Sequence, residues 1–185
     1  MASSVLNHQT KMLLTSALKE FMKATPLDKI TISDITKMCG VSRRAFYYHF
    51  ADIYEAAIWM FEQDLGSVTN SPNLPWSINV AGLLEYVESN RAVCLNAIRS
   101  SQGYRIEELF FVKFKSCMES YLISLCTKSS LKQETIGLIS DCYTVSMVAI
   151  VKSWMNGSIL CSRQELLSLF QRTIEGSVAA VVDSF

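Results

Sequence analysis

Between Thr31 and Phe50 the chain concentrates side chains able to grip a polyanion. Thr31, Ser33 and Ser42 come first, then Arg43 and Arg44 side by side, then Tyr47, Tyr48 and His49. An arginine holds a guanine edge through two hydrogen bonds, and serine or tyrosine hydroxyls reach phosphate oxygens. That chemistry suits recognition of a duplex rather than catalysis. The chain offers no nucleophile–base pair and no glycine-rich phosphate loop. Its six cysteines form no C-x-x-C pair, and His8 and His49 are its two histidines. No metal-ligand spacing results, so neither an enzyme nor a metal or other cofactor is expected.

The surrounding residues must form elements that hold this set in place. Thr31 is a good helix N-cap, and Asp34 three residues later favours the positive helix end. Gly40 follows Cys39 where a left-handed residue ends the helix, and Ser42 caps a further helix through Phe50. The Gly40-Val41-Ser42 link is too tight for antiparallel packing, so the second helix crosses the first steeply, as in a helix-turn-helix. Ile35, Val41 and Phe46 are the apolar contacts expected to hold the crossing, which leaves Arg43, Arg44, Tyr47 and Tyr48 facing outward. Ahead of this pair, Leu14, Ala17, Leu18, Phe21 and Met22 mark one face of a helix from about Asn7 to Ala24, stopping before Pro26. Behind it, Asp52 caps a helix that turns Ile53, Ala56, Ala57, Met60 and Phe61 inward.

Composition fits an all-α protein. Three prolines and seven glycines in 185 residues disfavour a turn-rich β fold. Half the residues are apolar and 18% are charged, below the ~25% usual for soluble domains, so some apolar surface is expected to lie between subunits. Residues 1–54 carry Lys11, Lys19, Lys23, Lys29, Lys37, Arg43 and Arg44 against Glu20, Asp28, Asp34 and Asp52, a net +3; the whole chain is neutral, so the rest sums to −3. The first residues lack a basic stretch followed by an apolar one, and the richest apolar run, Val145–Val151, is far short of the ~20 residues a span needs. A cytoplasmic protein with no membrane association is expected. A loop is expected over Ser67–Pro75. Helices follow near Trp76–Asn90, Arg91–Ser100, Arg105–Thr127, Leu131–Asn156 and Arg163–Asp183, with breaks at Gly103, Ser129-Ser130 and Gly157.

The run Ile30-Thr-Ile-Ser-Asp-Ile-Thr-Lys-Met-Cys-Gly-Val-Ser-Arg-Arg-Ala-Phe-Tyr-Tyr-His-Phe50 closely resembles the DNA-binding head of TetR-family bacterial transcriptional regulators, over roughly the first 60 residues. Chain length, helical layout and the Lys152-Ser-Trp-Met-Asn-Gly157 turn resemble the subgroup that includes regulators of dihydroxyacetone kinase operons. The resemblance implies a three-helix helix-turn-helix head, residues 1–54, joined to a helical effector-binding and dimerisation body, residues 55–185. It also implies roles in DNA binding. Thr31 caps the second helix and touches phosphate, Ser42 caps the recognition helix, and Arg43 and Arg44 reach base edges. Tyr47 and His49 contact the backbone, and Tyr48 contacts bases or phosphate. With Ser33 these make up the expected DNA-contacting set. Three departures stand out: Thr36 replaces a small residue, Ala45 a phosphate-donating threonine, and Ile53 a phosphate-gripping lysine. Loss of two anchors implies weaker non-specific binding and a shallower salt dependence.

For the body, the resemblance implies an effector pocket, for which Trp59, Tyr86, Tyr104, Phe110, Phe114, Tyr121 and Tyr143 are the aromatic candidates, with ordinary core as the other reading. No clustered charge is present to hold an ionic ligand, so an apolar or neutral effector is expected. The last two helices are apolar over more than one stripe and must each bury against more than one neighbour. A two-fold bundle, two helices per subunit, satisfies this, with Tyr143, Met147, Ile150, Trp154, Phe170, Ile174, Ser177, Val178 and Val181 at the interface. The whole reads as a homodimeric regulator, a repressor on a palindromic operator released by a small effector. The alternative is a co-regulator or co-activator acting through a protein partner.

Overall fold

A computed structural model describes residues 2–69, 75–125 and 132–183. Among them are nine α-helices and one 3-10 turn, with no strand. The helices are α1 (Ala2–Met22), α2 (Ile32–Cys39), α3 (Arg43–His49), α4 (Ile53–Thr69), α5 (Trp76–Ser89), α6 (Arg91–Ile98), α7 (Gly103–Leu125), α8 (Gln133–Met155) and α9 (Arg163–Asp183). The expected helices all appear with ends shifted by a few residues. The largest shift is at α1, which starts at Ala2 rather than Asn7 because nothing in Ala-Ser-Ser-Val-Leu breaks a helix. Most of the expected 67–75 loop and the Ser129-Ser130 break lie outside the described residues.

The chain divides into two compact units: Met1–Asp64 with Asn90–Leu109, and Leu65–Ser89 with Phe110–Phe185. In the first, α1 packs on α2, α3 and α6. Its core is Leu14, Leu18, Met22, Leu27, Ile35, Phe46, Phe50 and Phe61, all buried. Polar ties pin α6 to the same unit. The Asn96 amide donates to the Met22 carbonyl at 2.8 Å, and Lys19 pairs with Asp64 at 2.7 Å. The N-terminus of α7 meets the end of α6 so closely that a Cβ on Gly103 would fall 1.9 Å from the Ile98 carbonyl oxygen. Cys94 is fully buried here, and burial, reinforced by the charge of Asp64 and opposed by that of Lys19, pushes its thiol up to about 12. Like buried Cys117 in the second unit, it acts as a small hydrophobe.

In the second unit α5 packs on α8 and α9. Arg163 in the first turn of α9 reaches Glu85 and Glu88 of α5, both at 3.2 Å, and Lys115 of α7 reaches Asp141 of α8 at 2.6 Å. Tyr143 and Ser177 share a hydroxyl hydrogen bond of 2.8 Å between α8 and α9. By length and composition alone α8 could cross a membrane, more than the short Val145–Val151 run implied, yet only a third of its apolar window is buried. Its surface is therefore apolar on two sides.

Gly40 is where backbone freedom matters most. It sits at φ 66°, ψ 29°, and no atom lies within 4 Å of where a Cβ would be. The penalty for a side chain is therefore conformational and not steric. Gly40→Ala is expected to lower stability by about 1–2 kcal/mol, read as a lower urea midpoint at unchanged slope.

Candidate nucleic-acid interface

The start of α2 forms a complete capping box. The Asp34 N–H donates to Thr31 Oγ1 at 3.2 Å, and the Thr31 N–H donates to Asp34 Oδ2 at 3.1 Å. The Thr31 hydroxyl also donates to Asp34, at 2.6 Å, so its hydrogen is already engaged and a carboxylate stands beside it. Hydrogen bonds from the Thr31 hydroxyl and N–H hold the Asp34 carboxyl below its ordinary range. At the other end of α2, the Gly40 N–H donates to Lys37 and Thr36 carbonyls and the Val41 N–H to Thr36 at 3.0 Å. Thr36 solves the problem of its hydroxyl locally. It is buried but donates back to Ile32 at 2.9 Å.

Ser42 then opens α3, its oxygen accepting from the Ala45 N–H at 3.2 Å, which leaves the hydroxyl hydrogen free for another acceptor. Ile35 and Phe46 are fully buried and hold the crossing; Val41 is half-buried beside them. The turn to α4 is fixed by Asp52, which accepts from the Glu55 N–H at 2.8 Å.

With α3 anchored through Phe46 and Phe50, its outer side carries exposed Ser42, Arg43, Arg44, Tyr47 and Tyr48, the last 77% accessible. Neither arginine forms an ion pair or hydrogen bond among the described residues, so both guanidinium forks face solvent. Thr31 is exposed and Ser33 half-buried at the start of α2. His49 is half-buried, its ring edge-on to Tyr48 at 4.9 Å, with Nδ1 buried and unpartnered. Three of the head's other cations are engaged differently, while Lys29 and Lys37 are exposed. Lys11 lies over the rings of Phe50 (5.2 Å) and Trp59 (5.5 Å), Lys19 pairs with Asp64, and Lys23 with Glu20 at 2.5 Å.

Residues 13–57 match the family described as bacterial regulatory proteins, tetR family, and residues 76–176 match a transcriptional regulator C-terminal region. The chain belongs to the tetR family of bacterial regulators. Membership makes it a transcription regulator with a helix-turn-helix DNA-binding head, not an enzyme. It is similar to the HTH-type dhaKLM operon transcriptional activator DhaS of Lactococcus lactis subsp. lactis (strain IL1403), 23% identical over 122 residues, which cover 65% of this chain and 64% of that protein. Among solved structures, the dihydroxyacetone kinase operon activator DhaS superposes with a TM-score of 0.72 at 21% identity, over 95% of this chain and 97% of that one. RolR without ligand gives 0.62 at 14% identity, covering 88% and 89%. A regulator from Aquifex aeolicus VF5 gives 0.59 at 13% identity, covering 90% and 98%. At these identities the structures show a shared fold.

The aromatic candidates for an effector site separate. Trp59 belongs to the head unit, tilted against Phe50 (5.9 Å) and edge-on to His8 (5.6 Å), and Tyr104 belongs to that unit too and is 67% exposed. Tyr86, Phe110, Phe114, Tyr121 and Tyr143 lie in the second unit, where Tyr86 faces Phe110 at 6.5 Å and Tyr121 stacks on Trp76 at 5.3 Å. Of the expected interface residues, Met147, Trp154, Phe170, Ile174 and Val178 are buried within the chain itself. Tyr143, Ile150 and Ser177 are half-buried, and the Val181 side chain lies outside the described residues.

One polar cluster has no sequence signature. Asp28 accepts from Tyr54 Oη (2.9 Å), the Ser101 N–H (2.9 Å) and Ser101 Oγ (3.2 Å), joining the 3-10 turn, the start of α4 and the α6–α7 corner. Burial works against its ionisation, but the Tyr54 and Ser101 hydrogen bonds and nearby Lys29 hold the carboxyl below its ordinary range.

His49 sets a separate pH window. Desolvation, then the charge of Lys11, lowers its pKa below 6.5. Below that value the unfolded chain binds the proton that folded His49 refuses, so stability falls as pH drops through about 6.5. Asp28, Asp34 and Glu165, all lowered, act only near and below pH 4. Thermal unfolding of the wild type should decline between pH 7 and 5.5, and His49→Gln should flatten that decline.

Proposed function

We propose that the chain is a cytoplasmic, homodimeric, DNA-binding repressor whose α3 helices enter successive major grooves, ~34–36 Å apart, of a palindromic operator. Residues 1–54 are read as the DNA-binding part and residues 55–185 as the effector-binding and dimerisation part. The observation that carries the reading is the pair of unpartnered arginines, Arg43 and Arg44, on a helix locked from behind by Phe46 and Phe50. Ser42, Tyr47, Tyr48 and His49 are assigned to the DNA backbone around them. Thr31 and Ser33 join them through the start of α2, Thr31 chiefly as the cap that sets that helix.

Dimerisation is assigned to the outer stripes of the last two helices. Leu138, Val145 and Ala149 recur on the exposed side of α8, and Leu169, Thr173 and Gly176 on that of α9. A second copy presenting the same stripes would cover both, with small Ala149 and Gly176 allowing close approach. Release is assigned to a neutral effector in the second unit. Its interior holds the hydroxyls of Ser140 and Thr144, one turn apart on α8, fully buried and without a hydrogen-bond partner among the described residues. An uncharged ligand with hydrogen-bonding groups suits them, since buried polar groups are costly until paired. Effector binding would alter the separation of the two heads and so couple the two sites.

A second reading, a co-activator working through a protein partner, is favoured by the word activator in the names of both DhaS relatives. A promoter–reporter fusion decides the sign: expression rises on deletion of a repressor and falls on deletion of an activator.

Selection of duplexes from a random library at near-physiological salt should return a two-fold symmetric motif. Arg43→Ala and Arg44→Ala should each cost about 1–3 kcal/mol and relax one base position per half-site; variants that bind every operator variant like wild type would remove the base-reading assignment. Leu138→Glu with Val145→Glu should yield a folded monomer by sedimentation velocity, since two copies of each charge would be buried together. A persisting dimer would place the interface elsewhere.

A further inference from the structure

A cleft of about 250 Å³ opens between the first turns of α1 and the last turn of α3, lined by Leu6, Asn7, Thr10, Tyr48 and His49. Three features mark it as a place for an anion. Its lining contains no acid, and no acidic residue precedes Glu20 in the chain. The charge of Lys11, one residue beyond Thr10, is felt at His49. The lining also converges on donors. The Asn7 amide has no hydrogen bond among the described residues. The Tyr48 side chain is mostly exposed. Thr10 spends its hydroxyl hydrogen on its own helix, donating to Leu6 at 3.0 Å.

His49 supplies the deciding detail. Its Nδ1 is buried with no hydrogen-bond partner among the described residues. An orphaned buried N–H is rarer in proteins than an under-used acceptor, so the proton of the neutral ring belongs on Nε2. The ring is thereby set as a donor through its other nitrogen.

We propose that this cleft seats one phosphate of the DNA backbone, bound by Asn7 Nδ2 together with Tyr48 Oη and His49 Nε2, beside the bases read by α3. The inference rests on the DNA-binding reading above and extends it to α1. Leu6, Asn7 and Thr10 precede residue 13, where the match to the family begins. This contact therefore comes from the chain's own N-terminal turns, and α1 joins the binding surface instead of only supporting it.

The test uses the full-length protein with the selected operator and with a random duplex. Asn7 is half-buried on α1 and makes no hydrogen bond among the described residues, so Asn7→Asp is expected to keep its melting temperature. It should nevertheless bind both duplexes roughly tenfold or more weakly, because it sets a carboxylate against the phosphate in place of a donor. Asn7→Lys should bind both more tightly and steepen the salt dependence by about 0.9, the increment for one neutralised phosphate. A methylphosphonate scan of the operator then locates the contact: one backbone position per half-site weakens Asn7→Ala less than it weakens the wild type, while the other positions weaken the two equally. A wild type that binds while the Asp and Lys variants match it, or a scan with no position coupled to Asn7, overturns this inference alone. A wild type that binds no duplex overturns it together with the DNA-binding reading.

Discussion

Everything the head presents depends on how α3 crosses α2. Duplex geometry is fixed from outside, so a helix seven residues long is useful only if its direction is set by the protein and not by its own stability. Isolated helices of that length do not persist in water. Here the direction comes from a left-handed residue at Gly40, which turns the chain, and from Ile35 and Phe46, which are fully buried across the crossing. Caps at Thr31, Ser42 and Asp52 then fix where each helix begins. The outward display of Arg43, Arg44, Tyr47 and Tyr48 follows from Phe46 and Phe50 facing inward, three to four residues being one helical turn.

That dependence explains why the head could be read so fully from sequence. Capping residues, a glycine at the turn and an apolar face act over three or four positions, and all occur within Thr31–Asp52. The ends of α2 and the start of α3 fell where the caps placed them. The aromatic and charged groups on α3 were likewise separable by helical spacing. Thr31 shows the limit: its type and position mark a cap, but only the three-dimensional arrangement shows that Asp34 takes its hydroxyl hydrogen.

In the second unit the same reasoning found the helices but could not tell their apolar faces apart. α8 and α9 carry apolar residues on two sides, and periodicity reports that a face is apolar without saying what covers it. The stripe through Met147, Trp154, Phe170 and Ile174 packs inside the chain, while Leu138, Val145 and Leu169 remain outside. Larger side chains went to the core, where buried area is greatest, and smaller ones such as Ala149 and Gly176 to the surface. The surroundings of Trp59 were hidden for a related reason. Its helix crosses from one unit to the other, and only the fold shows it on Phe50 and beneath Lys11. The Asp28–Tyr54–Ser101 cluster and the cleft at His49 join residues tens of positions apart, a relation that no local spacing encodes.

The distribution of charge ties these observations together. A basic head was evident from composition, yet Lys19 and Lys23 are engaged with Asp64 and Glu20, and Lys11 lies against two aromatic rings. The positions where the family resemblance implies further phosphate anchors hold Ala45 and Ile53, one unable to donate and the other buried in the core. The freely presented cations of α3 are thus two arginines, and the remaining polar groups on its surface are neutral donors. Neutral donors hold a phosphate without releasing a counterion, so they add affinity and register but little dependence on salt. On the proposed reading, a head built this way would gain comparatively less from non-specific attraction to any duplex. Its discrimination would then rest on the two guanidinium forks, whose bonds to base edges form fully only on the matching sequence.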